Sequence, residues 1–139
     1  MKIRYLRNVC CISIVCFFFT SFLTINNSLI YSNTVRGVTN NSITFGIIAD
    51  QTGPTSSAAV PLAKAVKNYT RHVNDQGGIN GRKINVILED SRYSIPAALA
   101  AFKKLIFRDQ VLGIIGPISM GETKVLYKHV DKHKVPIIP

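Results

Sequence analysis

The run Gly77-Gly78-Ile79-Asn80-Gly81-Arg82-Lys83 (GGINGRK) lies between the first helical pattern and the second strand pattern, and that position decides how the rest of the chain is read. Two glycines stop a helix, an apolar residue follows, and Asn80-Gly81 turns the backbone into a basic strand start. A glycine-rich loop cradles phosphate only where it leads into a helix N-terminus, because free N–H groups and the positive end of the helix dipole collect there. This run follows its helix, at the end where carbonyls collect. It is a structural joint, and it puts any ligand chemistry at the opposite edge of the sheet.

Outward from the joint the hydrophobic period alternates regularly. Ile43 to Ala49, Ile84 to Leu88, Val111 to Ile115 and Val135 to Ile138 are short, nearly continuous apolar runs, which suits strands buried on both faces of a parallel sheet. Leu62, Val66, Tyr69 and Val73 recur at helical spacing and predict one apolar face of a first helix. Ala98, Phe102, Leu105 and Ile106 do the same for a second, with Pro96 near its first turn. Thr123, Leu126, Tyr127 and Val130 mark a third, closed by His133 and Lys134 with charge suited to a helix C-terminus. The order is β-α-β-α-β-α-β, an α/β pattern whose right-handed crossovers place helices on the sheet faces. The fourth strand run ends at Pro139 with no helix after it, which leaves a sheet face uncovered and is the pattern of part of a larger protein.

The first third is of a different kind. Lys2, Arg4 and Arg7 precede an apolar run from Val9 to Ile25, and no charge occurs between Arg7 and Arg36. Residues 1–32 therefore read as a secretory signal peptide, with an uncleaved membrane anchor as the alternative, and 33–42 as a polar linker. The three cysteines, Cys10, Cys11 and Cys16, all lie in this leader and none follows the small residue that lipid attachment wants. A mature chain starting near Asn33 has no thiol for a disulfide or a zinc–thiolate site. The formal net charge is +10, of which Lys2, Arg4 and Arg7 supply three. The remaining cations fall mostly on polar helix faces without interleaved aromatic residues, so no nucleic-acid partner is expected.

Ligands of open α/β sheets bind outside the carboxyl ends of the strands. Three loops occupy that edge. The first, Asp50-Gln51-Thr52-Gly53-Pro54-Thr55-Ser56-Ser57, offers Thr52, Thr55, Ser56 and Ser57 as hydroxyl donors at a helix start, where the same residues also serve as caps. The second places Asp90 at a strand end beside Arg92 and Tyr93. Glu89 and Asp90 point to opposite faces of their strand and cannot act as an acid–base pair. The third carries Ser119-x-x-Glu122, the spacing of a capping box, and the functional reading sets Ser119 and the adjoining N–H groups of Met120 and Gly121 toward an anion. His129 and His133 share a helix face, but no third ligand completes a metal set and Lys128, Lys132 and Lys134 repel a cation. With no nucleophile elbow, phosphate loop or dinucleotide fingerprint, neither an enzyme nor a bound cofactor is expected.

From Ile43 to Pro139 the chain resembles the extracytoplasmic solute-binding proteins of branched-chain amino acid ABC transporters, leucine-binding-protein-like members of the type I periplasmic binding fold. The stretches that carry the resemblance are ITFGIIADQTGPTSS, NDQGGINGRKINVILED, the Tyr93 to Pro96 region with its helix, VLGIIGPISMGET and KVPIIP. It implies a doubly wound, flavodoxin-like parallel sheet forming the N-terminal part of the first lobe, residues 43–139, truncated before the second. It also implies capture of an amino acid or similar small molecule in a cleft between two lobes, outside the cytoplasmic membrane, and delivery to an ABC permease. The alternative is the extracellular sensing domain of a membrane-anchored receptor. By the resemblance the ligand positions fall on Ser56 to Ala59, with Ala58 where many members have an aromatic residue, and on Ser119 and Met120, with Met120 where many have serine. The ligand-binding set is thus Thr52, Thr55, Ser56, Ser57, Ala58, Tyr93, Ser119, Met120 and Gly121.

Overall fold

The computed structural model describes residues 35–139. The leader, with its signal-peptide or anchor reading and its cysteines, and the start of the linker lie outside the described residues. Four parallel strands form one sheet: β1 (Ser42–Ala49), β2 (Lys83–Asp90), β3 (Gly113–Ile115) and β4 (Ile137–Ile138), in the order β2-β1-β3-β4. β1 runs in register with β2 from Ser42 opposite Lys83 to Ala49 opposite Asp90, and with β3 from Phe45 opposite Gly113. The helices are α1 (Ser56–Asp75), α2 (Ile95–Lys103) with a wider π-helical turn at Lys104–Arg108, and α3 (Met120–His133).

Side-chain alternation along β1 divides the interior into two layers. Ile48 faces Ala98, Phe102, Leu105, Val111, Leu126 and Val135, the layer under α2 and α3. Ile47 and Ala49 face Ala59 and Ala63 of α1. Helices on both faces of a parallel sheet make residues 35–139 an α/β doubly wound domain: the periods predict the helices on the faces, and the resemblance implies the double winding. The second helix buries all four residues of its expected face, Ala98, Phe102, Leu105 and Ile106.

The first helix differs from expectation. Its buried residues are Ala59 and Ala63, with Val66 and Val73 half-buried, while Leu62 and Tyr69 of the expected stripe are exposed. Small side chains let the helix approach Ile47 and Ala49 closely, and that contact outweighs the larger side chains one row away. Tyr127 of the third helix is likewise exposed, with Thr123 and Leu126 carrying the buried face. β2 is an edge strand and only half-buried, so it is not covered on both faces as its composition suggests.

The joint at Gly77–Lys83 is a tight reversal. Ile79 N–H donates to the Arg82 carbonyl at 2.8 Å and Arg82 N–H to that of Ile79 at 3.0 Å, across Asn80 and Gly81 at φ 51° and 78°. Both central residues have positive φ, the mirror-image turn that Asn-Gly favours. A Cβ on Gly78 would lie 2.0 Å from the Arg82 carbonyl oxygen, so this position requires glycine. Asn74, in the last turn of α1, bonds both the carbonyl and the N–H of Ile84 at 2.8 and 2.7 Å and fixes the end of the helix to β2. Residues 35–42, read as linker, are tied to the domain: Thr44 N–H bonds the Gly37 carbonyl at 2.7 Å and the Arg36 guanidinium bonds the His133 carbonyl at 2.8 Å. On the α1 side of β3 and β4 the sheet is open, and Phe45, Val66, Tyr69, Ile115 and Ile138 line an apolar groove. Among the described residues no helix is long and apolar enough to cross a membrane.

Candidate functional site

The sheet reverses its order of growth between β1 and β3, so the loops leaving these two strands turn to opposite faces and open a crevice at their carboxyl ends. The loop after β1 is organised by Asp50. Its carboxylate, 4% exposed, accepts the N–H of Gly53, and the N–H and hydroxyl of Thr55 at 2.7 Å each. Burial pushes its pKa up, as does neighbouring Asp90. The hydroxyl of Thr55 and the N–H groups of Thr55 and Gly53 outweigh both and hold it below the ordinary carboxylate range. Thr55, expected as a ligand donor, thus spends its hydroxyl on Asp50.

The loop after β2 is joined to the first by Asp90. This carboxylate accepts the N–H of Gln51 at 2.8 Å, the hydroxyl of Thr52 at 2.6 Å and the N–H of Arg92 at 2.9 Å. Burial pushes its pKa up, and these donors, led by the Thr52 hydroxyl, bring it below the ordinary value. Arg92 and Tyr93 both have positive φ, and Tyr93 projects outward, 48% exposed. A prediction follows from the two depressed carboxylates. Their contribution to stability is present above pH 3.8 and is lost as pH falls through their lower folded-state values. Thr52→Ala removes one donor from partly exposed Asp90 and is expected to cost about 1 kcal/mol at pH 7. In thermal unfolding at pH 7 and pH 2.5, the difference between wild type and variant should shrink at the lower pH.

The loop after β3 begins at Gly116, whose peptide bond to Pro117 is cis and whose φ is 86°. Ser119 caps α3: its hydroxyl oxygen accepts the N–H of Glu122 at 3.4 Å. That leaves the hydroxyl proton available to another acceptor. The reciprocal half of the capping box does not form. Glu122 turns inward, 2% exposed, toward Ser91, Ser94 and Asp50. Burial raises its pKa and Asp50 adds to the rise, against the opposing pull of the Ser91 hydroxyl and the Ser94 N–H.

The expected residues therefore divide by environment. Thr52 and Thr55 hold the two aspartates. Ser57, Ala58, Met120 and Gly121 stand exposed in the first turns of α1 and α3, Met120 at 84%. Ser56 is half-buried, and its N–H bonds the Gly53 carbonyl at 3.2 Å. Ala59, the last position in the stretch carried over by resemblance, faces the core. At the start of α1 the N–H of Ala58 bonds the Thr55 carbonyl at 3.0 Å, so the donors that the two helix starts can offer a ligand are chiefly the N–H groups of Ser57, Met120 and Gly121. Asp50 and Ser91 were not singled out from the sequence, and Glu122 was read only as the capping partner of Ser119. An aspartate three residues before Gly53 and five before Thr55, at a strand end, is the available signal for Asp50.

The arrangement can hold a small anionic or zwitterionic group by hydrogen bonds. Glu89, the neighbour of Asp90, is on the other face of β2, ion-paired with Lys104 of the π-helical turn. His129 and His133 lie parallel with ring centres 6.4 Å apart and pack against Phe102. Among the described residues no group of three or more His, Cys, Asp or Glu is placed to hold a metal ion.

Residues 42–139 match the family described as periplasmic binding protein. A curated relative, the Leu/Ile/Val-binding protein BraC3 of Rhizobium johnstonii, is 26% identical over 98 residues, covering 70% of this chain and 26% of the relative. A second, the chemotactic signal transduction system substrate-binding protein BasB of Halobacterium salinarum, is 29% identical over 86 residues, covering 60% of this chain and 21% of the relative. Among solved structures, the branched-chain amino acid transporter substrate-binding protein LivJ of Streptococcus pneumoniae, in complex with isoleucine, shares the fold at a TM-score of 0.67 and 23% identity, over 70% of this chain and 28% of that one. The chain thus spans about a quarter of the length of the proteins it matches. With the parallel β2-β1-β3-β4 sheet and its crevice at the strand ends, the chain belongs to the type I periplasmic binding protein family.

Proposed function

We propose that this chain contributes to the first lobe of a two-lobed substrate-binding protein that captures an amino acid or related small polar molecule outside the cytoplasmic membrane for import by an ABC transporter. The observation that carries this reading is the placing of two helix starts at the carboxyl ends of β1 and β3, with Ser57, Met120 and Gly121 exposed there, while the neighbouring aspartates are internally satisfied. Such an edge binds a carboxylate and performs no acid–base chemistry on it, so capture without catalysis is the role assigned. Ser119, Met120 and Gly121 on one side and Ser56, Ser57 and Ala58 on the other form the ligand contacts, with Thr52, Thr55 and Tyr93 shaping the rim. Met120 and Ala58 set the ligand class, an apolar side chain and a small one flanking the donors. A permease is the partner of the full-length protein, and the Val9–Ile25 segment is an export signal.

Isothermal titration of the longest gene product that carries residues 42–139, against branched-chain and polar amino acids, their amides and small carboxylates, tests this. Heat release for one of these classes is expected, and its loss in Ser119→Ala would place the site. No binding across the panel would reject capture of this ligand class. A second reading, a ligand-sensing domain kept at the membrane by residues 1–32, is favoured by the similarity to BasB, whose name places it in chemotactic signalling. Mass spectrometry of the mature N-terminus separates the two, because an intact leader supports anchoring.

A further inference from the structure

Glu122 is the one carboxyl at this edge that the fold buries without satisfying. It is 2% exposed, its Oε1 has no hydrogen-bond partner, and among the described residues no cation forms an ion pair with it. Helix capping does not account for it, since its own N–H is bonded to Ser119 while its side chain turns away from the cap. It reaches instead beneath the other two loops. From the loop after β1 it meets Asp50, and from the loop after β2 the hydroxyl of Ser91, itself fully buried, and the N–H of Ser94. Asp90, the last residue of β2, and Arg92 face each other at 3.9 Å, and Lys124 on α3 is exposed.

An ionised carboxylate in this position would be buried beside the charge of Asp50 with one oxygen unbonded, a costly arrangement. A neutral carboxyl has a proton to donate and removes the repulsion. We propose that Glu122 is a positioning residue of the ligand edge: its protonated carboxyl fastens the loops after β1 and β2 beneath the start of α3, so that the edge is most tightly assembled in mildly acidic solution and loosens as pH rises. The sign follows from linkage. A group whose folded-state pKa lies above its ordinary 4.5 stabilises the closed edge fully below that value, and the stabilisation is lost as pH rises through the folded-state value. This regulation rests on the reading of the edge as a ligand site, and its test is made without ligand so that the two can fail separately.

Amide hydrogen exchange at Gly53, Thr55 and Ser94 in the full chain, corrected for intrinsic exchange rate, is to be followed from pH 4.5 to 8 in wild type and Glu122→Gln. In the wild type, protection should fall severalfold as pH rises over this range. In the glutamine variant, which is isosteric and uncharged, it should stay flat. Histidine titrations are common to both proteins and leave the difference between them unchanged. Equal pH dependence in the two proteins would overturn the proposal. Should the variant fail to fold, the carboxyl carbon resonance of Glu122 in the wild type decides alone: a midpoint above 4.5 supports the proposal, and one at or below it overturns it.

Discussion

Gly116→Ala is expected to destabilise the domain by about 2–6 kcal/mol, from left-handed backbone strain of roughly 1–3 and overpacking of a similar size. A Cβ on this residue would lie 2.2 Å from the Ile48 carbonyl oxygen, and its φ of 86° is one that side chains disfavour. The atom it would strike is backbone at the end of the central strand, which cannot swing aside as a side-chain tip can. The Gly116 N–H also bonds the Ile138 carbonyl at 2.7 Å, so any shift disturbs the β3–β4 ladder. Domains of this size are stable by only about 5–15 kcal/mol, so the variant should show a large fall in denaturation midpoint. Gly121→Ala is the matched comparison. Its added Cβ would have only the Ser119 hydroxyl within 4 Å, at 3.9 Å, and it sits in the first turn of α3. Stability there should rise by about 0.4–1 kcal/mol through the lower entropy of the unfolded chain. A fall at Gly121 comparable to that at Gly116 would refute the geometric account of both.

Phe102→Ala is the second large effect, expected at about 3–5 kcal/mol in urea unfolding. Phe102 is 1% exposed at the centre of the layer between the sheet and helices α2 and α3. Its ring also lies 5.9 Å from that of His129, so truncation opens a cavity between helices as well as beneath them. Phe107, in the π-helical turn that continues α2, is 62% exposed and packs edge-on against His133. Phe107→Ala should therefore cost less than about 1 kcal/mol. Similar losses for the two phenylalanines would mean that the α2 layer is not the main core.

The fold was legible because it rests on periods the chain repeats. Ile47, Ile48 and Ala49 are consecutive and apolar, and a strand buried on both faces is what such a run specifies. The α2 face at Ala98, Phe102, Leu105 and Ile106 was readable for the same reason. The α1 face was not, because burial there follows closeness of approach rather than side-chain size, and Ala59 and Ala63 carry little hydrophobic signal. At the ligand edge the hydroxyls of Thr52, Thr55 and Ser119 were visible as residue types. What they bond was not, since the positions of Asp50 and Asp90 against them depend on two loops separated by a whole helix. The inward turn of Glu122 contradicts its local spacing from Ser119. Only the packing of three loops makes that turn the available one.

The reversal at Gly77–Lys83 offers a place to attach a reporter. Residues 35–139 contain no cysteine. Gln76, just ahead of the reversal, is exposed and has the ordinary backbone angles φ −82° and ψ 8°. A single thiol introduced as Gln76→Cys would thus be the sole labelling point among these residues, at the end of the strands opposite the crevice. A fluorophore or surface tether there would leave the serine and threonine hydroxyls unobstructed, so immobilised protein would present its capture edge to the solution.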